Sequence, residues 1–275
     1  MLKQDTQQFD GRKLALLGVA LLVIFIAWIP LYNWIPDVWA STATDLSGAT
    51  IPQAIVATVF WLVVIALLFV LSRAAGELLD AWSTTELVTM AVLAVIFAVI
   101  FNIWSAIVSG PLGGLYNQLG PWNSLFSGIW FIPGFLVPYI IRKPGAALLG
   151  EGVAGFLSFL LGSPWGFMGA AIAGLTQGIG AEVPFAATNW RRYGLPTMLA
   201  SGLVSAIASF VFVYPMWNAQ YALDWLALNL LATIISVEVI GVGGSILLAE
   251  ALKNTGVLNR FAIVRGAKTE EKGGR

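Results

Sequence analysis

Three glutamates, Glu151, Glu182 and Glu238, are embedded in apolar stretches of a chain that has no Lys or Arg at comparable depth. Gln177, Asn102 and Asn229 are their neutral polar companions. A charge at the centre of a bilayer costs on the order of 2.5–3.5 kcal/mol by insertion scales, so each acid needs a reason to be there. Three states meet that cost: a protonated carboxyl, a carboxyl hydrogen-bonded to backbone or amide groups, and a carboxylate held ionised by a bound cation. Trp130 stands well inside its apolar stretch, too deep for the interfacial aromatic belt that accounts for Trp122, Trp165, Tyr116 and Trp217 at outer helix ends. An aromatic wall beside carboxyls, with no resident cation, suits a planar heteroaromatic cation or an aminopyrimidine.

Helix geometry limits how many of these groups can share one ligand. Gln177 and Glu182 are five positions apart, about 140° around a helix at roughly 100° per residue. Both face one pocket only if Gly178, Gly180 and Pro184 distort the helix. Gln177 lies nearer the membrane centre and is the stronger candidate for ligand contact. Ala94-x-x-x-Ala98 puts two small residues on one helical face, a spacing that lets helices approach closely, within one chain or with a partner.

The elements that must position these residues are read from hydropathy. Apolar stretches run at 13–34, 52–72, 86–108, 120–141, 144–162, 167–190, 195–214 and 223–252, most of them long enough to cross a hydrocarbon core as a helix. Threaded with the N-terminus inside, all fourteen Lys and Arg fall on one side of the membrane. Arg73, Arg142, Lys143, Arg191 and Arg192 mark the inner turns, and the connections near 35–51, 109–119, 163–166 and 215–222 carry neither residue. That asymmetry predicts an all-α polytopic protein of about eight transmembrane helices, with both ends in the cytoplasm of a prokaryote. Residues 1–80 read as a transmembrane hairpin, 83–265 as a six-helix core holding every mid-membrane acid, and 266–275 as a cytoplasmic tail.

Composition agrees with this. The chain is 59% hydrophobic and only 10% charged, against about a quarter charged in a soluble domain. With no Cys and no His, it has no thiolate nucleophile and lacks the commonest metal ligand and the commonest general base. Nothing in it calls for a cofactor. A membrane enzyme would want paired Asp for Mg²⁺, or His and Cys for nucleophilic work, and the core has one Asp, Asp224, at an outer helix end.

Four strings carry a resemblance: Gly128-Ile-Trp-Phe-Ile, Ile141-Arg-Lys-Pro-Gly-Ala-Ala-Leu-Leu-Gly-Glu151, Gln177-Gly-Ile-Gly-Ala-Glu182 and Thr255-Gly-Val-Leu-Asn259. Over about residues 83–265 the chain resembles the YkoE family. These are S components of energy-coupling-factor (ECF) vitamin transporters, assigned to thiamine or its hydroxymethylpyrimidine precursor. The resemblance implies a six-helix core that captures substrate from outside. It also implies a transmembrane T component and two cytoplasmic ATPases as partners, with Ala94 and Ala98 in the position of the small residues that pack against the T component. The hairpin departs from the six-helix plan.

The residue reading and the resemblance converge on one set of expectations. Trp130 is expected to stack on the ligand, Glu151 and Gln177 to hydrogen-bond it, and Asn102, Asn123 and Trp165 to form the rim. Glu182 and Glu238 either hold the polar interior together or sense occupancy. The chain lacks a Gly-rich phosphate loop ending in Lys-Ser/Thr, so ATP hydrolysis by that machinery falls to a partner. A standalone transporter using a membrane glutamate for proton coupling is the alternative from another class.

Overall fold

A computed structural model describes residues 82–213, 217–218 and 220–264, together with isolated helical positions 19, 55, 59 and 66. The hairpin read at 1–80 and the tail at 266–275 lie outside the described residues.

The first core helix, α1 (Thr84–Ser109), starts where its capping residues dictate. The Ser83 hydroxyl accepts from the Glu86 amide at 3.3 Å, and Glu86 Oε2 accepts from the Ser83 amide at 2.7 Å. This reciprocal box satisfies amides that have no partner within the helix. Met90, Ala94, Phe97, Ala98, Phe101, Ser105 and Val108 recur at three- and four-residue spacing and are buried. Val88, Val92, Val95 and Val99 point outward, where lipid is the natural solvent. Of the two roles open to Ala94 and Ala98, the structure shows close packing inside the chain. Both are 0% exposed on the face of α1 that packs along α4, so neither is available on the outer surface to a partner.

A short α2 (Gly113–Gln118) and a 3₁₀ segment (Gly120–Phe131) lead into α3 (Ile132–Ile141). Next come α4 (Ala146–Leu160), a π-helical turn (Met168–Ile172) and α5 (Ala173–Ala187). The chain continues through α6 (Leu195–Val213), α7 (Leu223–Ser236), a second π segment (Val237–Gly243) and α8 (Gly244–Asn254). Among the described residues there are no strands. Among the described residues, four continuous helical runs are long and apolar enough to cross a membrane: Thr84–Ser109, Gly120–Ile141, Leu195–Val213 and Leu223–Asn254. Ala146–Leu160 is a shorter apolar helix.

Small residues set the distances between the central helices. A Cβ at Gly155 of α4 would lie 2.6 Å from the Ala170 carbonyl oxygen, and one at Gly174 would lie 3.0 Å from Gly155 Cα. The two helices therefore touch backbone to backbone, the approach that drives association in lipid. On the other side of α5, the hydroxyls of Ser201 and Ser205 donate to the Ala181 and Gln177 carbonyls at 2.7 and 2.8 Å. Gly155→Ala is expected to force α4 away from the π turn at a cost of about 1–3 kcal/mol. The thermal midpoint in detergent should fall by several degrees; an unchanged midpoint would show that the contact is easily relaxed.

Candidate substrate cavity

The core holds a half-open cavity of about 450 Å³ at the end of the bundle remote from the Arg142–Lys143 and Arg191–Arg192 turns. Its walls come from α1, the 3₁₀ segment, α4, the first π turn, α5, α6 and α7, with Tyr116 and Asn117 of α2 and Trp217, Asn218, Gln220 and Tyr221 at its mouth. That volume suits a molecule of vitamin size.

One wall is aromatic. Trp130, Trp165 and Trp217 form an edge-to-face series, Trp130 to Trp165 at 6.2 Å and 89° and Trp165 to Trp217 at 6.4 Å and 77°. Trp165 is fixed by its indole N–H, which donates to Ser105 Oγ at 2.8 Å. Toward the outer end, Tyr221 and Trp225 lie stacked, 3.8 Å apart and 13° from parallel. Tyr221 lies just before α7 and Trp225 in its first turn.

The opposite wall is polar. Glu151 on α4 is 1% exposed. Its Oε2 accepts from the Gly134 amide at 2.9 Å, whereas Oε1 has no hydrogen-bond partner. Gln177 on α5 donates through Nε2 to Ser209 Oγ of α6 at 3.1 Å. Asn229 on α7 fastens the start of the 3₁₀ segment, its Nδ2 lying 2.9 Å from the Pro121 carbonyl, 2.8 Å from Ser124 Oγ and 3.3 Å from Asn123 Oδ1. Asn218 Nδ2 reaches Asn229 Oδ1 at 3.5 Å. The buried indole nitrogen of Trp130 has no acceptor. Two residues of the lining therefore carry a buried unsatisfied group, an indole donor and a carboxyl oxygen, and buried polar atoms without partners are rare in proteins.

Of the residues singled out by sequence, Trp130, Glu151, Gln177, Asn123 and Trp165 line this cavity together. Asn102 lies one layer behind it, paired with Ser158, whose hydroxyl donates to Asn102 Oδ1 at 3.1 Å and whose carbonyl accepts from Asn102 Nδ2 at 3.1 Å. Glu182 is at the opposite end of α5, bound to the main chain at the start of α4 and to the Trp190 indole. Glu238 lies outside the cavity, against Gly202 of α6. Ser209, Asn218, Tyr221 and Trp225 line the cavity without having been picked out. None of the four gave a local signal, since Tyr221 precedes the helix that carries Trp225.

A multi-pass helical bundle that encloses a vitamin-sized cavity at one membrane face belongs, as a class, with the substrate-capturing components of transporters. The comparisons narrow that class. Residues 85–208 match the family model for the permease component of an ABC-type cobalt transport system. The chain is 33% identical over 199 residues to a Bacillus subtilis (strain 168) protein that carries the provisional name HMP/thiamine permease protein YkoE. That match covers 70% of this chain and 96% of the relative. A solved crystal structure of an S component of an ECF transporter superposes with a TM-score of 0.64 at 34% identity, covering 70% of this chain and 97% of that one. The chain belongs to the YkoE family and has the S-component fold.

Proposed function

We propose that this chain is the substrate-binding membrane subunit of an ATP-driven ECF importer, and that its cavity takes thiamine or hydroxymethylpyrimidine. The observation that carries the reading is the pair of unsatisfied groups, Trp130 Nε1 and Glu151 Oε1, within an aromatic cavity of about 450 Å³. A 4-aminopyrimidine offers ring nitrogens that accept and an exocyclic amine that donates, matching one indole N–H and one carboxyl oxygen. Trp130 then meets the ring edge-on through its N–H rather than as the stacking surface expected from sequence, with Gln177 as a second amide and Asn123 and Trp165 as the rim. The name of the Bacillus subtilis relative supports the same ligand class. A T component and two ATPases would supply the energy.

The test is a fluorescence titration of the purified chain, whose twelve tryptophans include four in the cavity wall. Thiamine or hydroxymethylpyrimidine should quench with a submicromolar Kd, and riboflavin and biotin should not bind. Tight binding of riboflavin or biotin without either pyrimidine would overturn the substrate class. Uptake by the chain alone in liposomes, driven by a proton gradient without ATPases, would overturn the subunit reading.

A further inference from the structure

Trp217, the third indole of the aromatic wall, rests on a glycine. Gly169 belongs to the first π turn and lines the cavity. A Cβ at this position would fall 3.0 Å from Trp217 Cη2, 3.5 Å from Trp217 Cζ2 and 2.7 Å from Trp165 Cβ. Both tryptophans therefore pack on bare main chain, an approach that a side chain at 169 would obstruct. π turns of this kind occur frequently at functional sites.

The two indoles are held differently. Trp165 is tied to α1 by its hydrogen bond to Ser105. Trp217 is 40% exposed at the mouth and leans edge-to-face on Trp165. Its neighbour Asn218 is buried and reaches Asn229 of α7, so the connection is anchored on the α7 side while the Trp217 ring lies against the π turn. With Trp165 tied down, a methyl group at 169 moves the partly exposed Trp217 outward. The series Trp130, Trp165, Trp217 also sets an order along the cavity. A pyrimidine held by Trp130 and Glu151 leaves any further ring to meet the indoles that follow. Among the described residues of the lining, Glu151 alone is charged, so a cation carried on that further ring meets π systems rather than a second carboxylate.

We propose that Gly169 is a positioning residue for the part of the ligand beyond its pyrimidine ring: by leaving room for Trp217 on the π turn, it sets that indole against a cationic second ring. The pair then decides how far a two-ring ligand is preferred to a bare pyrimidine. This rests on the reading of the cavity as an aminopyrimidine site, and adds which residues discriminate within that ligand class.

The experiment titrates the purified full chain with thiamine and with hydroxymethylpyrimidine in the parent, Gly169→Ala, Trp217→Ala and the double variant. Gly169→Ala and Trp217→Ala should each weaken thiamine about tenfold, the scale of a lost cation–π contact, and leave hydroxymethylpyrimidine within about twofold of the parent. In the Trp217→Ala background, Gly169→Ala should add less than about twofold, because the glycine acts through an indole no longer present. A merely loosened fold would lower both affinities and would show no such coupling. Equal weakening of both ligands by Gly169→Ala, or a second tenfold loss in the Trp217→Ala background, overturns the positioning role. Should Gly169→Ala fail to fold, Trp217→Ala adds no atom to the π turn and still decides: loss of both ligands alike, or of neither, overturns the proposal. A parent that binds hydroxymethylpyrimidine but not thiamine overturns the second-ring contact alone. If the parent binds neither, the aminopyrimidine reading fails and this inference with it.

Discussion

Glu151→Gln should weaken binding of hydroxymethylpyrimidine or thiamine by about 30–150-fold and leave the thermal midpoint within a few degrees of the parent. The two carboxyl oxygens have separate roles. Oε2 takes the Gly134 amide, and Oε1 is buried without a partner on a residue that lines the cavity. In the glutamine variant the side-chain carbonyl still accepts from Gly134, so α3 and α4 remain joined. The amide nitrogen replaces Oε1 and is a donor only, so it opposes an exocyclic amine where the acid accepted from it. A hydrogen bond to a charged group contributes about 1.5–3 kcal/mol, and an opposed donor pair away from water forfeits about 2–3 kcal/mol, the source of the predicted range. Glu151→Leu loses binding as well but also strands the Gly134 amide, so its midpoint should fall where that of the glutamine variant does not. Titration of both variants beside their melting curves is the measurement. Undiminished binding in Glu151→Gln would show that Oε1 accepts nothing from the ligand and would take Glu151 out of the recognition set.

The sequence exposed depth well and azimuth poorly. Apolar length and basic turns located the core helices closely, as with 86–108 against Thr84–Ser109 and 195–214 against Leu195–Val213. Those signals depend on the hydrocarbon thickness and on where Lys and Arg stop, both of which are local. Periodicity within a uniformly apolar run is nearly flat, so nothing distinguished the 3₁₀ geometry of Gly120–Phe131 or the π geometry of Met168–Ile172 and Val237–Gly243 from ordinary helix. The same flatness concealed which way each acid turns. All three glutamates share membrane depth, yet Glu151 lines the cavity, Glu182 meets a helix start and Glu238 lies against Gly202 of α6. The five-residue gap between Gln177 and Glu182 did give their separation, because α5 runs unbroken from Ala173 to Ala187 with Pro184 inside it. Pairs such as Trp165 with Ser105, sixty positions apart, come from tertiary packing, and no spacing rule reaches that far.

Glu182→Ala should be the most destabilising single change in the core, at about 3–5 kcal/mol, because Glu182 caps a helix to which it does not belong. The residue at the N-cap of α4 is Gly145, held at φ 79° with no side chain to offer. The amides of Ala147 and Leu148, the second and third residues of α4, are the donors an N-cap side chain ordinarily satisfies. Glu182 reaches them from α5: Oε2 accepts from Ala147 at 2.9 Å and Leu148 at 3.2 Å, and Oε1 accepts from Gly145 at 2.8 Å and from the Trp190 indole at 2.5 Å. A carboxyl at this end also complements the positive pole of the helix dipole. Alanine leaves three main-chain amides and an indole without their acceptor, at about 1–3 kcal/mol for each buried group, and the total falls below the sum because neighbouring losses do not add. Glu182→Gln keeps one acceptor oxygen but turns an NH₂ toward two donors, so about 2 kcal/mol is expected. Trp190→Phe removes a single donor and should cost about 1 kcal/mol. Thermal melts of the three variants in one detergent should fall in that order, alanine lowest. Ligand binding measured well below each midpoint should survive, since Glu182 lies outside the cavity and acts on Glu151 only by seating α4. A Glu182→Ala chain that melts within a degree of the parent would mean that water or a neighbouring group satisfies the start of α4 equally well, and the cross-helix cap would then contribute nothing to stability.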